Sequence, residues 1–360
     1  MTPPYKSRLA SLARELAKAD LDTLLVAHSQ DWFYLTGFTG ESGVLLVEDG
    51  AVTLVSDGRF MTQARSETRS VRIVEQQGAL MEFVGAFLRG KSKRVVGFDP
   101  MRLTVGQLQQ LRKAAGRSIH WNAAPDLVSG LRMQKDESEI ACMRQAATLA
   151  GDVLTNAIGL LKPGITEREV GSEIEYRMRR GGASGPAFET IVAFGERAAL
   201  PHARPTGKRL RKNELVVLDL GAILAHYCSD ITRTVYVGKA PARVKKWYGA
   251  VLEAQTAAIA SVRDGVACGD VDAAARQVLA RHKLDSYFTH STGHGLGLEV
   301  HEEPRLARGQ RARLKPGNVV TIEPGVYVPG SGGIRIEDDV VVHPGKTEVL
   351  TRVSRDLIEL

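Results

Sequence analysis

Asp219, Asp230, His294, Glu323 and Glu337 follow one another through the C-terminal half of this 360-residue sequence. Four carboxylates and one imidazole suit a pair of divalent cations, because four negative charges balance two M²⁺ ions and oxygen donors favour hard metals. A single zinc ion draws on three or four ligands, richer in His or Cys. Each residue alone has a plainer reading, such as a strand-end carboxylate capping a turn. The case for chemistry is combinatorial and depends on the segments that carry the five.

Leu215-Val216-Val217-Leu218-Asp219-Leu220-Gly221 reads as a buried strand ending in a lone acid. A buried unpaired charge costs several kcal/mol, so that acid needs a partner. Asp230 lies eleven residues on, before the alternating Ile231-Thr232-Arg233-Thr234-Val235. The two segments predict antiparallel strands joined by a hairpin, which brings both aspartates to one face. His294 sits in Gly293-His294-Gly295-Leu296-Gly297, where glycines permit close backbone approach. His290 and His301 flank it, so three of the nine histidines fall within twelve residues. Val319-Val320-Thr321-Ile322-Glu323-Pro324-Gly325 repeats the logic of an apolar run delivering one acid to a turn. Gly333 to Val340 predicts one continuous strand, with Arg335 and Glu337 on one face and Ile334 and Ile336 on the other.

These segments need a scaffold, and the pattern supplies one. The first region mixes helices at Ser7–Asp20, Met81–Leu88 and Thr104–Ala115 with strands near 23–27, 44–47, 52–55 and 94–98. It carries no compact cluster of catalytic residue types. A boundary falls near Leu131–Glu137, where charged residues open a helix running to about Leu161. Thr166 and Glu169 then form a capping box for a second helix. About a hundred residues later, helices from Val244 to about Asp264 and from Asp270 to His282 echo that pair. The echo suggests an internal duplication with a site at its pseudo-symmetric centre.

Composition is ordinary for a soluble globular protein: 43% hydrophobic and 25% charged residues. The net charge of +7 is scattered and only 6% of residues are aromatic, which argues against a nucleic-acid surface. Cys142, Cys228 and Cys268 form no disulfide framework and fit a reducing compartment. Met1-Thr2-Pro3-Pro4-Tyr5-Lys6 has no apolar export core, and no apolar run spans a membrane. The expectation is a cytoplasmic protein.

The ordered set Leu200-Pro201-His202, Leu218-Asp219-Leu220-Gly221, Ser229-Asp230-Ile231-Thr232-Arg233-Thr234, Gly293-His294-Gly295-Leu296-Gly297, Glu299-Val300-His301-Glu302-Glu303-Pro304, Ile322-Glu323-Pro324-Gly325 and Arg335-Ile336-Glu337 resembles a known family. It is similar to the pita-bread-fold metallopeptidases, in their proline-specific branch of Xaa-Pro aminopeptidases and Xaa-Pro dipeptidases (prolidases). Tyr34-Leu35-Thr36-Gly37-Phe38-Thr39-Gly40 and Asp57-Gly58-Arg59-Phe60 extend the resemblance to the N-terminal half. It implies an α+β fold, with a smaller α/β creatinase-type domain over 1–131 and a duplicated pita-bread domain over 132–360. It implies that Asp219 holds one metal, that His294 and Glu323 hold the other, and that Asp230 and Glu337 bridge. Mn²⁺ is the expected ion, with Co²⁺ or Zn²⁺ as alternatives.

The resemblance further implies proton transfer by Glu323, substrate and oxyanion contacts by His202 and His301, and tuning of the metal carboxylates by Arg335 and Tyr327. His290 and Tyr327 would help line the proline pocket. The implied reaction is hydrolysis of the N-terminal Xaa-Pro bond of peptides. Restriction to dipeptides is the runner-up, and a non-catalytic peptide-binding module of the same fold is a third reading. A methionine aminopeptidase is disfavoured by the large N-terminal domain, and a metal-free creatine-hydrolysing relative by the complete ligand set. The implied partners are peptides with proline second and a second copy of the chain, with no nucleic acid and no membrane. Glu41 and Ala203 stand where smaller residues are commoner in the family.

Overall fold

Local capping chemistry fixes where three principal helices begin. Thr104, Asp136 and Thr166 each accept a backbone N–H from the third helical residue, and Gln107, Glu139 and Glu169 reach back to the capping residue. The helices are Val105–Ala115, Glu137–Ile158 and Glu167–Arg180. The second opens at Glu137 and ends at Ile158, short of the expected Leu161, with Gly159 as its C-cap. The structure, a computed structural model, describes residues 4–90 and 94–360. Met1, Thr2 and Pro3, part of the segment read for an export signal, lie outside the described residues. No helix among the described residues is long and apolar enough to cross a membrane.

The chain divides into two compact units, Met1–Arg132 and Met133–Leu360. The first is built on a six-stranded mixed sheet in the order Arg72–Glu75, Ala51–Ser56, Val44–Glu48, Thr23–Val26, Arg94–Phe98, Ile119–Ala123. Leu25, Leu46, Val55 and Val96 from the sheet pack with Val84, Leu88 and Leu111 from helices Leu80–Arg89 and Val105–Ala115. The two helices cross closely at Gly85, where an added Cβ would lie 2.7 Å from the Leu111 carbonyl oxygen.

The second unit is duplicated down to single hydrogen bonds. Gly164 N–H donates to Leu210 O, and Gly265 N–H donates to Leu314 O, each at 2.9 Å. Leu210 and Leu314 return bonds to Ile165 and Val266. Arg209 and Arg313 donate to the carbonyls of Gly164 and Gly265. The helix pair Glu137–Ile158 and Glu167–Arg180 is thus matched by Ala242–Ser261 and Cys268–Arg281. The latter two stop and start a few residues before the sequence pattern suggests.

Each pair covers a sheet. Leu154, Val170 and Ile174 pack on Val192, Leu218 and Val235, in the sheet ordered Ile358–Glu359, Ile231–Val237, Glu214–Leu220, Ile191–Phe194. Val251, Ala254 and Val271 belong to the core around Val320, Ile322 and Val340, in the sheet ordered Glu302–Leu306, Gly293–Gly295, Val319–Ile322, Asp338–His343, Lys346–Val349. The mixed helices and sheets and the internal repeat agree with the α+β reading.

Candidate metal centre

Strand register builds the site. Glu214–Leu220 pairs antiparallel with Ile231–Val237, setting Thr232 opposite Asp219. The link between them carries a hairpin of its own, Ala222–Leu224 with Tyr227–Cys228, turned by Ala225 and His226 at φ of 48° and 72°. Asp230 immediately precedes its strand. In the second half, Val319–Ile322 pairs antiparallel with Asp338–His343. Glu323 immediately follows the first of these strands and Glu337 immediately precedes the second. The continuous strand expected from Gly333 to Val340 is instead two strands, Gly332–Arg335 and Asp338–His343, in different sheets. The break at Ile336-Glu337 follows from that change of partner, and the Glu337 N–H donates to Thr232 O.

The side chains converge. Ligand atoms of Asp230, His294 and Glu337 lie within 4.8 Å of one another. His294 Nε2 is 3.5 Å from Glu323 Oε1 and 3.8 Å from Asp230 Oδ2. Its Nδ1 donates to Gly295 O at 3.0 Å, which assigns the proton to Nδ1 and leaves Nε2 as a bare lone pair facing carboxylates. Arg335 joins the set by donating to Asp219 Oδ2 at 2.5 Å and to Thr232 Oγ1 at 3.1 Å. Thr232 Oγ1 in turn donates to Glu337 Oε2 at 2.5 Å. Asp219 Oδ1 and Asp230 Oδ1 are buried with no hydrogen-bond partner.

Electrostatics describe a site short of positive charge. Burial, then the neighbouring Glu337 and Asp219, pushes the Asp230 carboxyl well above its usual range. Burial, then Glu323 and Asp219, does the same to Glu337. Glu323 is pushed up to about 8 by burial, opposed by Arg335. Burial, then His301, lowers His294 to about 4. Orphaned oxygens, mutually repelling acids and a bare imidazole nitrogen are the donor set that divalent cations satisfy. The residues therefore fit the two-metal expectation.

Around this cage stands a second layer. Tyr327 Oη accepts from Arg335 at 2.7 Å and donates to His290 Nε2 at 2.8 Å, while His290 Nδ1 donates to Ser291 O. Burial raises Tyr327 to about 12 and lowers His290 to about 4. The His301 ring lies 4.3 Å from the His294 ring, centroid to centroid. His202 and His301 are exposed, and His202 is near enough for its charge to lower both His290 and His301. Contacts link Asp219, Arg335, Tyr327 and His290 in one chain and Asp230, His294, Glu323 and Glu337 in one cluster, with His301 against His294.

The sequence reading overlooked two participants. Thr232 links Arg335 to Glu337. Asp339, 1% exposed, accepts the Asp230 N–H at 3.0 Å. Its signal was available: two adjacent acids, Asp338-Asp339, entering an apolar strand demand partners.

Comparison with known proteins identifies the family. The pattern of metallopeptidase family M24 matches residues 141–344, and that of the Creatinase/Prolidase N-terminal domain matches residues 8–134. An Xaa-Pro dipeptidase of Pyrococcus horikoshii is 37% identical over 342 residues, covering 95% of each chain. The solved Xaa-Pro dipeptidase from Bacillus anthracis superposes with a TM-score of 0.95 at 35% identity, over 99% of this chain and 100% of that one. An X-Pro aminopeptidase from Thermotoga maritima gives 0.88 at 33% identity, over 96% and 100%. The fold is a creatinase-type N-terminal domain followed along the chain by the pita-bread metallopeptidase domain. A match across more than half of the sequence, with relatives aligned along nearly all of it, places the chain in metallopeptidase family M24, as a hydrolase of peptide bonds.

Proposed function

We propose that the protein hydrolyses the peptide bond before proline at the N-terminus of its substrates, with Asp219, Asp230, His294, Glu323 and Glu337 holding two divalent cations. The observation that carries the reading is the bare Nε2 of His294 set among carboxylates, beside the orphaned oxygens of Asp219 and Asp230. The names of the relatives from P. horikoshii, B. anthracis and T. maritima supply the proline specificity. Bound divalent ions supply Lewis-acid polarisation of a carbonyl and acidify water at neutral pH. In this reading Asp219, Asp230, His294, Glu323 and Glu337 would hold the ions, which would supply that chemistry at this centre.

The chain's own groups do the rest. Glu323 takes the proton shed by the attacking water and returns it to the leaving nitrogen. His202 and His301, at the exposed edge, hydrogen-bond the scissile carbonyl and stabilise the developing oxyanion. Arg335 fixes Asp219 and, through Tyr327, the tautomer of His290. His290 and Tyr327 line the proline ring's pocket, with Phe288 packed edge-on against His290 at 5.1 Å. The imide nitrogen before proline has no N–H, so shape must replace a hydrogen bond in recognition.

Two substrate ranges fit. The T. maritima name favours trimming of longer peptides, and the P. horikoshii and B. anthracis names favour dipeptides. Metal-stripped protein restored with Mn²⁺, Co²⁺ or Zn²⁺ and assayed on Xaa-Pro, Xaa-Pro-Yaa and Met-Ala peptides separates them. Cleavage of Met-Ala alone, or activity unaffected by chelation, overturns the proposal. Manganese is the proposed ion because hard carboxylates dominate the cage. A homodimer in the cytoplasm completes the reading, supported by the family resemblance and by three free cysteines.

A further inference from the structure

Two buried acids outside the cage hold the loops that carry His202 and His290. Glu167 is 0% exposed and opens its helix. Its Oε1 accepts from Phe194 N–H and Arg197 Nε at 3.0 Å. Its Oε2 accepts from Arg197 Nε at 3.0 Å, Thr206 N–H at 2.9 Å and Thr206 Oγ1 at 2.6 Å. One carboxylate thus ties the start of segment 194–206 to its end. Arg197 also donates to Arg204 O at 2.6 Å, bracing the arch from within. The arch presents Leu200, 52% exposed, and His202 to solvent. It rests on the Gly332–Arg335 strand so closely that a Cβ at Gly333 would lie 2.2 Å from Ala198 O.

Asp272 repeats the device in the second half. It is 0% exposed and accepts from Thr292 N–H at 3.1 Å, Thr292 Oγ1 at 2.8 Å and Arg276 Nε at 2.7 Å. Arg276 donates onward to Phe288 O and His290 O, closing segment 288–292. In both halves the second helix of the pair sends a carboxylate inward. That acid accepts from a threonine's N–H and hydroxyl together, and from an arginine Nε. Glu167 binds both ends of its loop directly, and Asp272 binds one end and reaches the rest through Arg276, which a carboxylate that only neutralised a helix end would not need to do.

We propose that Glu167 and Asp272 are positioning residues for hydrolysis, acting through His202 and His290 respectively. This rests on the reading of those histidines as substrate contacts. The substitutions are Glu167→Gln and Asp272→Asn, which keep shape and replace one acceptor oxygen by a donor. Each is measured alone and in a His202→Ala or His290→Ala background, on Xaa-Pro peptide with Mn²⁺. Each single change lowers kcat/KM by about 10- to 100-fold, while Mn²⁺ stoichiometry by calorimetry stays at the wild-type value. The loss falls below about twofold in the background lacking the matching histidine, because nothing is left to position.

An undiminished loss in that background, or full activity of both single variants, overturns the proposal. Should Glu167→Gln fail to fold, Thr206→Val removes a single bond to Glu167. It then shows a smaller loss that also vanishes without His202, and full activity overturns the claim. Amide exchange across 195–205 is read on the same proteins. Faster exchange in Glu167→Gln supports the bracing even if wild-type protein does not cleave Xaa-Pro, a result that overturns the substrate reading and not the bracing.

Discussion

The two halves of the catalytic unit share a backbone plan and divide the chemistry. Their frames agree at the Gly164–Leu210 and Gly265–Leu314 pairs and at the matched arginines 209 and 313. Their contributions to the centre do not. The first half sends two aspartates from a single strand pair. The second half sends two glutamates and a histidine, plus His290, Tyr327 and Arg335. A frame is specified by turns, caps and backbone pairing, which tolerate many side chains. A reaction is specified by a few side-chain atoms, and these differ between the halves even where the backbone bonds match.

The sharpest way to break this comparison is to remove one ligand from each half. Asp230→Ala and His294→Ala each lower kcat/KM by at least about 10³-fold, beyond the 10- to 100-fold typical of supporting residues. If either variant keeps wild-type turnover, the halves do not share one cage. Calorimetric titration with Mn²⁺ shows the same loss as reduced stoichiometry.

Metal removal sharpens the comparison through pH. Glu323 moves from an ordinary 4.5 to about 8 in the folded, metal-free protein, and Asp230 and Glu337 move the same way. The folded state then holds more protons than the unfolded one, so this stability is present at low pH and is lost as pH rises through about 8. His290 and His294, both from the second half, move from 6.5 to about 4 and act oppositely, but only below 6.5. Thermal unfolding of stripped protein therefore shows a falling Tm between pH 6.5 and 8. Mn²⁺ flattens that slope. A flat profile without metal contradicts the assigned electrostatics.

Smaller effects follow. Tyr327→Phe deletes the hydroxyl between Arg335 and His290, two groups of the second half. It lowers kcat/KM by roughly tenfold, with metal content unchanged. The smallest change tests the frame itself. Arg209→Ala and Arg313→Ala remove equivalent bonds, so each destabilises by about 0.5–1.5 kcal/mol in chemical denaturation, with activity intact. Unequal values would show that the repeat is equal in geometry and not in energy.

Much of the site was legible because its signals are short-range. Apolar runs ending in Asp219 and Glu323, and the glycine-flanked His294, announce themselves within windows of five to seven residues. The capping box at Thr166 and Glu169 was read where it stands. The misreadings have a common cause. Gly333–Val340 alternates like one strand, but Arg335 and Asp338 belong to different sheets, and pairing partners are not written in the alternation. Asp339 and Glu167 escaped notice because their partners, Asp230 and the 194–206 arch, are remote in the chain.

The amino-acid sequence by itself offered the candidate donors, the strand ends and helix starts that carry them, and the outline of a repeat. Those depend on periodicity, caps and turns, which neighbouring residues decide. Only the tertiary structure decided that Arg335 would hold Asp219, that Thr232 would reach Glu337, and that one buried acid in each half would brace a histidine loop. Such contacts join residues tens to more than a hundred positions apart. Burial, not local preference, makes each polar group find its partner.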